Sequence, residues 1–178
     1  MKNKVRIHWF ASVKRATSRV VAELKALNLY QPVDVYVTPI GIGGLGYCTL
    51  GKKPEIHIPR FSGARLAELL PGRVYTSLMD ILRHEHGHAF DFAGMSRNLR
   101  RRYWQLFGRT GKKAVFDPDV HVTEYAATDS QEDFAECFML FVKWGGRWRN
   151  RGLHREEYLN GTWDKMRFLE EVARGRYQ

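Results

Sequence analysis

The chain reads as a single α+β domain in which a small sheet is covered by amphipathic helices. Three observations lead there. Its 178 residues match one domain at roughly 100–200 residues each. Short segments with strand-like alternation in the first third give way to longer segments of helical period. No internal repeat, low-complexity tract or Ser/Pro-rich linker divides the chain, so residues 1–178 are treated as one unit. A content of 44% hydrophobic and 27% charged residues provides for a core and excludes the disordered and fibrous classes.

Residues 12–28 place Val13, Ala16, Val20, Val21, Leu24 and Leu27 at helical spacing with basic residues between them, which predicts the first helix. Gln31 and Pro32 punctuate, and Val33, Val35 and Val37 alternate as a strand ending near Pro39. After the glycine cluster 41–46, Tyr47 to Leu50 and Ile56 to Ile58 flank a turn and read as a β-hairpin. A second helix is expected from Ser77, where Ser77 and Asp80 have capping-box spacing, to Gly94 at its C-terminus. A basic amphipathic helix follows over 97–107. Ser130 then caps an apolar helix to Trp144, and a closing helix spans about 163–174.

A net charge of +10 favours solubility and anionic partners without constraining the fold. No apolar run approaches the roughly 20 residues of a membrane span, and Lys and Arg interrupt the N-terminal apolar stretches before a signal-peptide core can form. The expectation is a cytoplasmic monomer as encoded. Two cysteines, Cys48 and Cys137, are too few for a disulfide scaffold and are expected as free thiols.

Within the second helix, His84-Glu85-His86-Gly87-His88 satisfies H-E-x-x-H. Seven histidines and eleven glutamates in this length make only about 0.02 accidental matches expected, so the motif carries weight. Positions i and i+4 share a helix face, so His84 and His88 can aim imidazole nitrogens at one cation, with Glu85 one residue round, close enough to hold a metal-bound water without ligating the metal. His86 falls on the other side. Catalytic zinc usually takes three protein ligands. Asp91, seven residues after His84, lies about 10.5 Å along the axis, too far to join as a ligand and better suited to accept the ring N–H of a ligand histidine. No H-x-x-G-x-x-H continuation follows His88, which excludes the metzincins.

Downstream, Glu132 and Glu136 stand at i and i+4 in E-D-F-A-E. HEHGHAFD followed by EYAATDSQEDFAECF resembles the gluzincin branch of the zincin metalloproteases, most closely the catalytic domain of anthrax lethal factor and related small peptidases. The matching segments cover about a quarter of the chain. The resemblance implies a zincin-like domain hydrolysing protein or peptide substrates. It implies His84, His88 and Glu132 as ligands of one Zn²⁺, Glu85 as general base, Tyr125 as a hydroxyl near the reacting carbonyl, and Glu136 behind a ligand. Asp133 and Cys137 depart from the apolar and small residues usual at their positions. His121 and Glu124 lie close enough in sequence to replace Tyr125 or Glu132. Leu45, Gly46, Tyr47, Cys48 and Thr49 occupy the place of an edge strand to which an extended substrate can add; a purely structural hairpin is the competing reading. Cys48 is expected as a small residue in a hairpin strand, with a self-inhibiting thiolate on the metal as the lesser alternative.

The basic clusters point elsewhere. Arg97, Arg100, Arg101, Arg102, Arg109, Lys112 and Lys113 interleave with Tyr103 and Trp104, and Arg147, Trp148, Arg149 and Arg151 form a second group. A solvated helix face with anchoring aromatics is the ordinary reading; arginines contacting phosphates and aromatics stacking on bases would make a nucleic-acid-binding module with a structural or vestigial metal site, the alternative.

Overall fold

The computed structural model describes residues 8–38, 46–51, 53–60, 77–107, 115–150 and 161–176. Helix α1 (His8–Ala26) buries Val13, Val20 and Leu24 and leaves Lys14, Arg15 and Arg19 outside, as the spacing predicts. It stops at Asn28, whose φ of 56° is left-handed, while Leu29 N donates back to Leu24 O at 2.9 Å.

Strands β1 (Asp34–Thr38), β2 (Tyr47–Thr49) and β3 (Glu55–Pro59) form a sheet ordered β1-β3-β2. The hairpin is present, with β2 antiparallel to β3, and β1 pairs parallel to β3 with Val35 opposite Ile56. Alternation then sends Val35, Ile56 and Cys48 to one face. On the other, His57 stacks between Tyr36 and Tyr47 at centroid distances of 5.3 and 4.6 Å. Within this sheet β2 is an edge.

Helix α2 (Leu78–Ala89) carries the H-E-x-x-H motif and packs against α1, the sheet and α4 (Ser130–Lys143). Its start differs from the capping-box expectation. Ser77 makes no side-chain cap; its hydroxyl donates to Asp80 Oδ2 at 3.3 Å. The buried Asp80 instead binds Arg83 (2.6 Å) and Lys143 (3.1 Å), and Arg83 also pairs with Glu23, which ties α1, α2 and α4 together. The end differs as well. The α-helix stops at Ala89 and a π turn (Phe90–Gly94) follows, closed by Met95 N donating to Phe90 O at 2.9 Å. Gly94 serves packing here, since a Cβ would lie 2.6 Å from the Phe90 ring.

Helix α3 (Arg97–Phe107) follows at the expected bounds, and α5 (Gly161–Ala173) closes the described fold. The cap of α4 is Asp129 and not Ser130: Asp129 Oδ1 accepts from Gln131 N at 2.7 Å and from Glu132 N at 3.0 Å. A carboxylate serves better than a hydroxyl at a helix N-terminus because it also meets the dipole. Asp133, an apolar position by resemblance, turns into the interior. There it accepts from Lys165 Nζ (2.7 Å) and from the Tyr103 hydroxyl (2.7 Å), joining α3, α4 and α5. Cys137 is fully buried beside this group, and both cysteines are free. No helix among the described residues is long and apolar enough to cross a membrane.

Candidate metal centre

The site forms where α2 and α4 cross. Gly87 sets their separation: a Cβ there would stand 2.9 Å from Ala135 Cα and 3.3 Å from Ala135 Cβ, so any larger residue would hold the helices apart. At that distance Glu132, in the first turn of α4, reaches the His84/His88 face of α2. His84 Nε2 and His88 Nε2 are 3.1 Å apart, and Glu132 Oε2 lies 3.1 Å from the first and 3.3 Å from the second. Among the described residues this is the group of three whose donor atoms could hold a metal ion.

The donor chemistry fits zinc. Two imidazole nitrogens and a carboxylate oxygen are zinc ligands, and a tetrahedral ion with bonds of about 2.0–2.1 Å has ligand-to-ligand edges of about 3.3–3.4 Å, close to this triangle. Glu132 Oε2 is buried and has no hydrogen bond of acceptable geometry, despite both imidazole nitrogens lying near it. Without a metal, the imidazoles of His84 and His88 at 3.1 and 3.3 Å offset the charge of this carboxylate, and a divalent cation would take over that part.

Electrostatics agree. Burial opposes charge on His84, yet Glu132 and Glu136, with Glu85 nearby, raise its pKa to about 10. Burial likewise opposes ionisation of Glu132, and His84 and His88 hold its pKa well below the usual carboxylate range. A place that retains a proton so firmly favours positive charge, and a divalent cation must displace that proton to bind. Apparent zinc affinity of the metal-free protein should therefore rise by about one log unit per pH unit between pH 7 and 9, levelling off near 10. Chelator-competition titrations across that range would check this; a flat profile would show that His84 holds no proton for the metal to displace.

Outer contacts fix the orientation of His84. Glu136, 0% exposed, places Oε1 2.7 Å from His84 Nδ1, so the ring donates there and Nε2 is directed to the centre. Its other oxygen accepts from the Thr123 hydroxyl at 2.9 Å, a partner that sequence spacing does not reveal. Glu85 is buried, with Oε2 lacking a hydrogen bond. Burial pushes its pKa up, His84 and His88 oppose the rise, and Glu132 adds to it. Tyr125, 51% exposed, has its ring centroid 5.9 Å from that of His84; burial first, then Glu132, raises its phenol pKa and keeps it a hydrogen-bond donor. His86 is buried outside the donor set, and burial lowers its pKa to about 4, which leaves it neutral.

Other expected residues lie differently. Asp91 sits in the π turn, where Arg100 Nε donates to its Oδ1 at 3.0 Å and the Arg100 guanidinium also binds the carbonyls of Asp91 and Phe92. Its charge is felt at His88, but no hydrogen bond joins it to either imidazole among the described residues. The π turn redirects the chain after Ala89, so straight-helix geometry does not apply to Asp91. His121 Nδ1 accepts from Asp117 N at 3.3 Å, Glu124 is exposed, and neither belongs to the donor triangle. Cys48 is not in the donor triangle, and burial and then Glu85 push its thiol up to about 12. Gly46 abuts the site, since a Cβ on it would meet Glu85 Oε1 at 2.9 Å. Tyr47, Cys48 and Thr49 form the edge strand β2, and Leu45 lies outside the described residues.

Structure also divides the basic clusters. Arg100 is taken up by the π turn, and Arg149 pairs with Glu170 at 2.6 Å over the Trp148 ring. Tyr103 and Trp148 are buried and unavailable for stacking, whereas Arg97 and Arg101 are exposed. Arg109, Lys112, Lys113 and Arg151 lie outside the described residues.

Compared with known proteins, the chain matches no family model, and no curated protein or solved structure is significantly similar to it.

Proposed function

We propose that this chain is a zinc-dependent endopeptidase of zincin type, holding one Zn²⁺ through His84, His88 and Glu132. The observation that carries the reading is the triangle of two imidazole nitrogens and one carboxylate oxygen, 3.1–3.3 Å on a side, close to the edge lengths of a tetrahedral zinc site. When bound, zinc supplies a Lewis acid and lowers the pKa of a coordinated water toward 7.

The chain's own groups do the rest. Glu85, on the same helix and not among the three ligands, accepts the proton of the attacking water and returns it to the leaving amine; its raised pKa suits both transfers. The Tyr125 hydroxyl donates to the oxygen on which negative charge develops. The β2 backbone beside Glu85 accepts an extended peptide by main-chain hydrogen bonds, placing a substrate carbonyl near the base.

The test is incubation of the zinc-loaded protein with a peptide library, alongside Glu85→Gln. The wild type should cleave. The variant should keep near-stoichiometric zinc and turn over at least ~10²-fold more slowly. Loss of zinc from the variant would make Glu85 a ligand, and an inactive zinc-loaded wild type would end the peptidase reading.

A further inference from the structure

We propose that Thr123 is a positioning residue coupling occupancy of the metal site to the turn that carries Tyr125, an inference that rests on His84 being a metal ligand. The Thr123 hydroxyl makes two hydrogen bonds of opposite sense, donating to Glu136 Oε2 at 2.9 Å and accepting from Ala126 N at 3.0 Å. Glu136 in turn holds His84 Nδ1 through its other oxygen at 2.7 Å. A continuous chain therefore runs from the metal-facing imidazole, through a fully buried carboxylate and one hydroxyl, to the backbone N–H directly after Tyr125.

The chemistry gives the chain a direction. A hydroxyl has one hydrogen, so donating it to Glu136 fixes the rotor and turns a lone pair toward Ala126 N. Cation binding at Nε2 makes Nδ1–H a stronger donor, which holds Glu136 more tightly, and hydrogen bonds in series reinforce one another in a low-dielectric interior. The receiving turn is short, closed by Ala127 N to Glu124 O (3.3 Å), Thr128 N to Tyr125 O (3.0 Å) and the Thr128 hydroxyl to Tyr125 O (2.7 Å). The Tyr125 side chain is half exposed, with its ring 5.9 Å from that of His84 and its phenol beside Glu132, and these backbone anchors add to those contacts in setting where the phenol stands.

Thr123→Val keeps the shape and removes the hydroxyl, whereas Thr123→Ser keeps the hydroxyl. In zinc-competition titrations the valine variant should bind at least ~10-fold more weakly and the serine variant should return to the wild-type value. In a Glu136→Ala background, Thr123→Val should cost nothing further, because its effect passes through that carboxylate. In the wild type, zinc should slow amide hydrogen exchange at Ala126, and in Thr123→Val it should not. Wild-type zinc affinity in Thr123→Val, an equal extra loss in the Glu136→Ala background, or zinc-insensitive exchange at Ala126 would each overturn the proposal. Should the valine variant fail to fold, Thr123→Ala takes its place in the same titrations and exchange measurement. None of these readouts uses peptidase activity, so a protein that shows them but cleaves nothing would refute the enzyme reading and leave the coupling standing.

Discussion

Replacing Glu132 by alanine should abolish tight zinc binding, while Glu136→Ala should only weaken it. Structural zinc sites with four ligands bind with about 10–16 kcal/mol, roughly 2.5–4 kcal/mol per ligand, so loss of one ligand corresponds to ~10²–10³-fold in affinity. Removing a carboxylate behind a ligand costs typically 10–100-fold. The two residues are one helical turn apart and project in similar directions, so sequence pattern alone does not rank them. The structure does: Glu132 Oε2 stands 3.1 and 3.3 Å from the two Nε2 atoms, whereas Glu136 Oε1 meets His84 on its other nitrogen. Competition titrations of both variants against a chelator of known affinity provide the measurement. If Glu136→Ala proves the more damaging, the ligand shifts one turn along α4, and the placement of Tyr125 falls with it.

The helices, the hairpin and the paired histidines were legible in the sequence because they follow local periods. Val13, Val20 and Leu24 recur at helical spacing, Ile56 and Ile58 alternate, and His84 and His88 share a face whatever surrounds them. What remained hidden depends on residues distant in sequence. Parallel pairing of β1 with β3 joins strands separated by β2 in the chain, and the carbonyls of Asp91 and Phe92 in the π turn are held by Arg100 from the next helix. The move of the α4 cap to Asp129 is a one-residue shift between two good capping residues, which only backbone geometry resolves. Gly87, inside the motif, reads as a mild helix breaker until Ala135 is seen against it. Thr123 gave no signal, since a threonine thirteen residues before a glutamate has no periodic meaning. Nor did the arginine run at 97–102 disclose that Arg100 serves the fold while Arg97 and Arg101 remain outside.

Lys165→Met should destabilise the protein by about 3–5 kcal/mol, because it leaves a buried carboxylate without its cation. Lys165 is 1% exposed, and its ammonium reaches Asp133 Oδ1 at 2.7 Å and the Val120 carbonyl at 2.5 Å. The Tyr103 hydroxyl donates to Asp133 Oδ2, so three helices meet on one carboxylate, and Lys165 also ties in the segment before Thr123. A domain of this size has a total stability of only about 5–15 kcal/mol, and at about 2–4 °C per kcal/mol the predicted loss lowers the Tm by roughly 6–20 °C. Adding Asp133→Asn removes the stranded charge yet keeps an acceptor for Tyr103, so the double variant should recover at least half of the loss. Denaturant unfolding of the four proteins in this cycle measures the coupling directly. A Lys165→Met cost below about 1 kcal/mol, or a double variant as unstable as the sum of the singles, would show that the pair does not hold α4 in place. Asp133 is the chain neighbour of Glu132, so the position of the third ligand depends on this pair, and Lys165→Met should also weaken zinc binding although none of its atoms touches the metal site.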